Sequence, residues 1–492
     1  MILNLIATTT EAVHTVSSSI TYLFTGVLVA MIACLALEEK IHAKKSLIVG
    51  LFAVISLLLG GYFGILPFGQ ITLPNGHHIN MPVYIPAIDW GVIGIILGSS
   101  LFVDVTSKSG LFTWIAIKLT KASKGDPLQL LWYYGLMTVV FSAVLNNVTA
   151  MIIVGSLTGV SLKKLNRSEK LLGFLLIEGL LTNIGGLLTL ISSVPNIIVG
   201  QAAGISFVKF FIVASPFVVV ATVITIWMGS KIFKIAKLPT EEEKNKAKEL
   251  VSSFDENDGI ESKGFFKFAT FMLLAFVLLI ATTSIMPVLK DLGMAFVALS
   301  FGVIMLIRYK SKVDEFYRAL DWDLLGFFMA LFAVIYVMEH AMVLELIGKG
   351  IRVIVGSGGN GGISALLVSA AGFSSVTDNI PLAAMLAQIL GKMGTSGDST
   401  LWWSVIFGAN LGGNLTPIGS ASTLVAVTII HKYKLPMSFA GFVKKAFPFA
   451  VVHIILATVY VLFAVPFLFG KEEKTTEVKE KLPIEKAIEE QH

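Results

Sequence analysis

Charge is scarce in this chain. Asp, Glu, Lys and Arg make up 14% of its 492 residues, against roughly 25% in a soluble domain. Hydrophobic residues make up 55% and the mean hydropathy is +0.83. That much apolar surface cannot be hidden in a water-soluble core, so the chain reads as an integral membrane protein. Cysteine is nearly absent. Cys34 stands alone, which excludes a disulfide framework and any cysteine-built zinc or iron–sulfur centre. No His-x-x-x-His pair and no Gly-x-Ser-x-Gly turn occurs, which leaves an intramembrane hydrolase or lipid transferase without a signature. The first twenty residues hold no Lys or Arg, so no signal peptide is expected there, and no lipidation pattern is evident. The net charge of +5 fits membrane orientation rather than nucleic-acid binding.

What is present is long apolar segments. A span takes roughly 20 apolar residues, which yields about ten of them: 20–37, 46–66, 90–107, 171–199 (broken), 207–230, 265–287, 293–307, 324–347, 401–430 (broken) and 446–469. Two further segments, 128–162 and 362–392, each hold two short apolar helices around a polar tip. Lys121 and Lys124 precede the first, and Lys163, Lys164 and Arg167 follow it. Both flanks belong in the cytoplasm, so the segment enters and leaves on one side as a re-entrant hairpin. Alternation then places the second hairpin on the opposite side and the N-terminus outside. The stretch 67–89 has no Lys or Arg and carries an Asn75-Gly76 turn signal, which suits an external loop with a short hairpin.

The two polar tips look like copies. Asn146-Asn147-Val148-Thr149 matches Asp378-Asn379-Ile380-Pro381 at an offset of 232 (378 − 146). Asp89-Trp90 recurs at Asp321-Trp322 and Pro216 at Pro448 with the same offset. Each half also holds a second break after its hairpin, Asn183-Ile184-Gly185-Gly186-Leu187-Leu188-Thr189 and Asn410-Leu411-Gly412-Gly413-Asn414-Leu415-Thr416. Hydrocarbon tolerates an interrupted helix only where the freed backbone groups are buried in protein or line a polar cavity. A large repeat with matched breaks marks a secondary transporter and points to its binding site. The expected architecture is an all-α polytopic membrane protein. Its first inverted repeat covers 20–234, a cytoplasmic linker covers 235–263, and the second repeat covers 264–469. A polar tail, 471–492, follows.

The candidate substrate and ion ligands are Asn146, Asn147, Thr149, Asn183, Thr189, Asn196, Thr377, Asp378, Asn379, Asn410, Asn414, Thr416 and Ser420. These are neutral amides and hydroxyls with one carboxylate. Na⁺ suits such oxygens, with Asn147, Asn379 and Asp378 as its candidate ligands. Half-helix N-termini beside them favour anions. Small polar residues also pack membrane helices closely without further function, but four matched motifs in two pairs favour a site. Asp378 is the first candidate for proton coupling and Glu178, in the run before the first break, the second. Asp104 and Glu339 carry weaker claims, and helix capping explains Asp89 and Asp321.

At these residues the chain resembles the arsenite-permease, sodium–proton-antiporter and P-protein family of the wider ion-transporter superfamily, which also holds citrate and dicarboxylate transporters. The tip motifs, the two Gly-Gly breaks, Val194-Pro195-Asn196-Ile197 and Thr416-Pro417-Ile418-Gly419 carry the resemblance, over about 20–469. It implies two inverted halves, ions bound between hairpin tips and broken helices, an elevator-like motion and a homodimer. Sodium–proton antiporters of this type tend to carry Asp at the first tip, where this chain has Asn146. P-protein-like members tend to have Gly-Asp-Pro-Pro-Asn where this chain has Ser192-Ser193-Val194-Pro195-Asn196. The expected function is secondary ion transport by alternating access in the cytoplasmic membrane. Na⁺/H⁺-linked exchange comes first. The alternative is an anion permease for arsenite, citrate or a dicarboxylate, coupled to H⁺ or Na⁺. The partners are then a small ion or anion and the lipid bilayer, with no cofactor.

Overall fold

The computed structural model describes residues 16–66, 70–72, 78–82, 84–356 and 359–469. The expected Asn75-Gly76 turn and the tail lie outside the described residues. Helices follow one another almost without interruption. The first half comprises α1 (Ser18–Ala36), α2 (Glu38–Ile41), α3 (Lys45–Tyr62), α4 (Tyr84–Ala87), α5 (Trp90–Ser107), α6 (Leu111–Ala122), α7 (Pro127–Val144), α8 (Asn147–Lys164), α9 (Leu171–Gly186), α10 (Val194–Ala202) and α11 (Phe207–Ile232). A linker helix, α12 (Glu241–Ser252), leads to α13 (Lys263–Thr282), α14 (Pro287–Arg308), α15 (Val313–Ala319), α16 (Trp322–His340) and α17 (Val343–Val355). The chain continues through α18 (Gly359–Ser374), α19 (Asn379–Lys392), α20 (Thr400–Gly412), α21 (Ala421–Lys432), α22 (Phe439–Val459) and, past one π-helical turn, α23 (Val465–Phe469). One antiparallel pair, β1 (Gln70–Thr72) with β2 (His78–Asn80), lies in the 67–89 loop.

Nine helices among the described residues are long and apolar enough to cross a membrane. The chain is a multi-pass membrane protein. Eight of the nine coincide with expected uninterrupted spans; the ninth is Pro127–Val144, the first limb of the first hairpin. The expected spans 171–199 and 401–430 fall into half-helices too short to cross alone. The span 324–347 is also interrupted. α16 stops at His340, and Met342 takes φ 61°, the left-handed region that ends a helix.

The element order repeats. Helix starts at Trp90, Leu111, Pro127, Asn147 and Phe207 recur at Trp322, Val343, Gly359, Asn379 and Phe439, each 232 positions later (322 − 90). The caps repeat with them. Asp89 accepts from Val92 N at 3.0 Å and Asp321 from Leu324 N at 2.9 Å, which satisfies a free N–H at each helix start. Trp90 and Trp322 each donate back to a carbonyl five residues earlier. Packing crosses between the halves in matched pairs: α3 lies on α16 and α14 on α5, while α8 lies on α21 and α19 on α10. Gly98 lets α14 approach, because a Cβ there would stand 2.3 Å from the Ala298 backbone. Helices α9 and α20 form the centre; Phe174–Gly186 and Trp402–Gly412 are buried on every side. The flanking α1, α3 and α13 keep broad apolar faces exposed, as lipid contact requires. Between the halves, Asp126 accepts from Leu238 N at 2.9 Å, and Lys118 and Lys121 both hold Glu256.

Candidate functional site

Each broken helix frees carbonyls that its own polar side chains then satisfy. In the first break, Asn196 Nδ2 donates to the carbonyls of Gly186 (2.7 Å) and Thr189 (3.0 Å), and the Ser192 hydroxyl reaches the same two. In the second, the Thr423 hydroxyl sits among the carbonyls of Gly413, Thr416, Pro417 and Ser420. Asn196 and Thr423 occupy corresponding places, as do Gly186 with Gly413 and Thr189 with Thr416. Buried in this way, an unwound backbone is tolerable within a membrane protein.

The hairpins are fastened to the breaks by a second matched set. Ser142 donates to Thr182 O and Ser374 to Ala409 O, each at 2.6 Å. The Thr189 hydroxyl donates to Ala143 O, and the Thr416 hydroxyl to Ser375 O. Glycine permits the close approach. A Cβ on Gly185 would stand 2.7 Å from Val139 O, and one on Gly412 would stand 2.3 Å from Ala371 O. At the tips, Asn146 caps α8 by accepting from Thr149 N at 2.8 Å, and Asp378 caps α19 by accepting from Ile380 N at 3.0 Å.

The two halves meet in a buried network of amides and hydroxyls. Asn183 Nδ2 donates to Asn414 Oδ1 (2.8 Å) and Ser420 Oγ (2.9 Å), while Ser422 Oγ donates to Asn183 Oδ1 (2.9 Å). In the mirrored position, Asn410 Nδ2 donates to Asn196 Oδ1 (2.8 Å) and Ser193 Oγ donates to Asn410 Oδ1 (2.8 Å). Asn147 joins from the first tip, 3.4 Å from Asn183 Oδ1. Ser193 and Ser420 are the N-caps of α10 and α21, so both half-helices start at this network with their positive ends toward it. Sequence reasoning named most of these residues, and the structure brings Asn147, Asn183, Asn196, Asn410, Asn414 and Ser420 together, with Thr189 and Thr416 as hairpin fasteners.

Others are placed apart. Asp378 is outside the network; its Oδ2 accepts from Lys45 Nζ at 2.6 Å. Thr377 donates to Phe373 O within its own helix turn, and the side chains of Thr149 and Asn379 have no hydrogen-bond partner among the described residues. The sodium trio is thus divided, with Asn147 in the network, Asp378 on Lys45 and Asn379 unengaged. Glu178 is fully buried. Thr158 Oγ1 donates to its Oε1 at 2.6 Å, and Oε2 has no partner among the described residues. Glu339 forms an ion pair with Lys392 at 3.0 Å. Lys45 was missed because it belongs to neither tip nor break; its one sequence signal, a lysine at a span's start, is shared by ordinary orientation signals. His453 was missed as well. It is buried in α22 with Nε2 2.7 Å from Thr225 Oγ1.

A family model described as a citrate transporter matches residues 5–408. The chain belongs to the citrate transporter family. An uncharacterised transporter of Mycobacterium bovis is 29% identical over 381 residues, covering 76% of this chain and 86% of that protein. The human P protein is 22% identical, over 87% of this chain and 60% of its own length. Among solved structures, the YdaH transporter of Alcanivorax borkumensis matches with a TM-score of 0.56 at 14% identity, over 86% of this chain and 99% of that one. At that identity the likeness concerns the fold. The family model and the mycobacterial relative are both described as transporters, and this citrate-family chain is a transporter rather than an enzyme.

Proposed function

We propose that the chain is a secondary carrier for a small, oxygen-rich anion of the carboxylate class, working by alternating access and driven by a cation. The observation that carries this reading is the network between the halves. It gathers amide and hydroxyl groups from both breaks, now hydrogen-bonded to one another, at the N-termini of α10 and α21, and it contains no carboxylate. Such a donor set with two positive helix ends stabilises an anion. The two halves, oppositely oriented in the membrane, present this site to each face in turn, with the hairpins as re-entrant gates. The family's citrate description supports the substrate class. A second reading, cation–proton exchange, draws on Glu178, a buried carboxyl with one unpartnered oxygen.

The test is flux into proteoliposomes, with citrate, succinate and arsenite offered under Na⁺ and H⁺ gradients. Citrate or succinate uptake is expected, with Asn410→Ala lowering it at least tenfold, about the loss of one hydrogen bond to a charged group. Arsenite uptake alone, or cation–proton exchange with no anion moved, refutes the reading.

A further inference from the structure

Two ion pairs hold the second hairpin at opposite ends of one helix. At the tip, Asp378 caps α19 and its Oδ2 accepts from Lys45 Nζ at 2.6 Å. At the base, Lys392 closes α19 and its Nζ stands 3.0 Å from Glu339 Oε1 of α16. A helix of 14 residues is roughly 20 Å long, so the two ties are far apart. Both lead to one packing group. Lys45 starts α3, α3 lies on α16, and Ser46 Oγ donates to Asp323 at the start of α16. The tip pair is the more buried, with side chains 9% and 25% exposed. Those of the base pair are 32% and 40% exposed.

Close packing does not seat the hairpin on this side. A cleft of about 400 Å³ separates its apolar face from α1, with Ile32 and Leu35 on one wall and Phe373, Met385 and Ile389 on the other. On its other flank the hairpin is fastened to α20 through Ser374 and Thr416, so the two form one body.

The hairpin hangs from α16 by α17. Both ends of this arm turn at a residue with positive φ, Met342 and Gly356, each at 61°. The first hairpin hangs from α5 by α6 in the same way, between Gly110 (79°) and Lys124 (53°), 232 positions earlier (342 − 110 and 356 − 124). The first arm is clamped, however. A Cβ on Gly110 would stand 2.4 Å from Gly259 O of the linker, and Lys118 and Lys121 hold Glu256. The second arm turns in more open surroundings, since among the described residues a Cβ on Gly356 would come no closer than 3.9 Å to its neighbour Val353 O. The first hairpin also lacks the charges. Asn146, Val160 and Ser107 occupy the positions that correspond to Asp378, Lys392 and Glu339.

We propose that the Lys45–Asp378 and Glu339–Lys392 pairs form a two-point latch that holds one access state of the carrier. Opening both pairs lets α17 turn at Met342 and Gly356 and carries the hairpin, together with α20, away from α3 and α16. The change of access thus runs through the second hairpin, while the linker restrains the arm of the first. The proposal rests on the alternating-access reading above.

The experiment is a distance measurement between two spin labels on the full-length protein in lipid nanodiscs. The background is Cys34→Ser, and the labels are attached through Leu51→Cys on α3 and Val368→Cys on α18, both at exposed positions. With the native charges one distance should dominate. Glu339→Gln with Lys392→Gln should raise the share of a second distance about twofold, since partly exposed pairs contribute little. Lys45→Met with Asp378→Asn should raise it about tenfold, as for a close, desolvated pair across an interface. The charge swap Lys45→Asp with Asp378→Lys should bring the distribution back toward that of the native charges, which lost packing or a lost cap would not do. A distribution unchanged by all four neutral substitutions, or a swap that behaves like the neutral pair, overturns the proposal. If the tip variants do not fold, the base-pair variant decides, and an unchanged distribution there overturns it. Flux separates the two ideas. A latch that opens in this pattern while no solute moves defeats the carrier reading alone. Anion uptake with an unmoved distance distribution defeats the latch alone.

Discussion

Gly412→Ala tests the contact that seats a hairpin against a broken helix. A Cβ there would stand 2.3 Å from Ala371 O, 2.8 Å from Ala371 Cα and 2.8 Å from Ser374 Cβ. A relaxed carbon–oxygen contact runs at about 3.3 Å, so α18 and α20 must separate by roughly 1 Å. Two of the three obstructing atoms are backbone, and no rotamer change removes them. Overpacking of this kind costs about 1–3 kcal/mol, and displacing Ser374 from Ala409 O adds about 1 kcal/mol. Better helix propensity returns about 0.5–1 kcal/mol. The net expectation is a loss of about 1–3 kcal/mol. Gly372 lies in the facing helix α18, and nothing stands within 4 Å of its Cβ position. Gly372→Ala should therefore keep the propensity gain of up to about 1 kcal/mol. Paired thermal melts in one detergent measure the difference. A Gly412→Ala protein as stable as Gly372→Ala refutes the reasoning, and it removes the case that close backbone approach holds the hairpin in place.

Further outcomes follow from the network and the surface charges. Asn183→Ala leaves Asn414, Ser420 and Ser422 each short of a buried partner; stability should fall by about 2–3 kcal/mol and anion uptake should be lost, read by melts and flux together. Glu178→Gln keeps an acceptor for Thr158 Oγ1, so folding should persist while any proton flux that passes through this carboxyl stops; undiminished proton flux would exclude Glu178 from coupling. The Lys118 and Lys121 ammoniums hold Glu256 down from its ordinary 4.5 to about 2. A depressed carboxyl stabilises above its unfolded value and loses that contribution as pH falls toward the folded one. Limited proteolysis of the 235–263 linker should therefore be slow at pH 7 and speed up as pH drops from about 4.5 toward 2, with Glu256→Gln cleaved quickly at both.

Much of this arrangement is legible in the residues. Asp89-Trp90 and Asp321-Trp322 read as helix starts, and each aspartate caps its helix in the structure. The Gly-Gly breaks end α9 and α20 where the spacing places them. Asn183 and Asn410 stand out as polar residues inside otherwise apolar runs, and they lie at the centre of the network. Less legible was α6, with its counterpart α17, because Lys118 and Lys121 interrupt its hydropathy. The end of α16 at His340 was hidden too, since nothing in Glu339-His340-Ala341-Met342 announces a left-handed residue.

The sequence by itself determined that this chain lives in a membrane, that its halves repeat, and where the two Gly-Gly helices must break. Those are consequences of local composition: hydrocarbon rejects charge and free backbone groups, so any exception is conspicuous. Only the tertiary structure decided who meets whom. Asn183 finds Asn414 and Ser420 across more than two hundred residues, and Asp378 finds Lys45 rather than the network to which its tip motif assigns it. Such pairings depend on how α3 lies on α16 and how α8 and α19 cross to the opposite half's half-helices. Helix packing is set by shape complementarity between distant faces, and no local pattern of residues records its outcome.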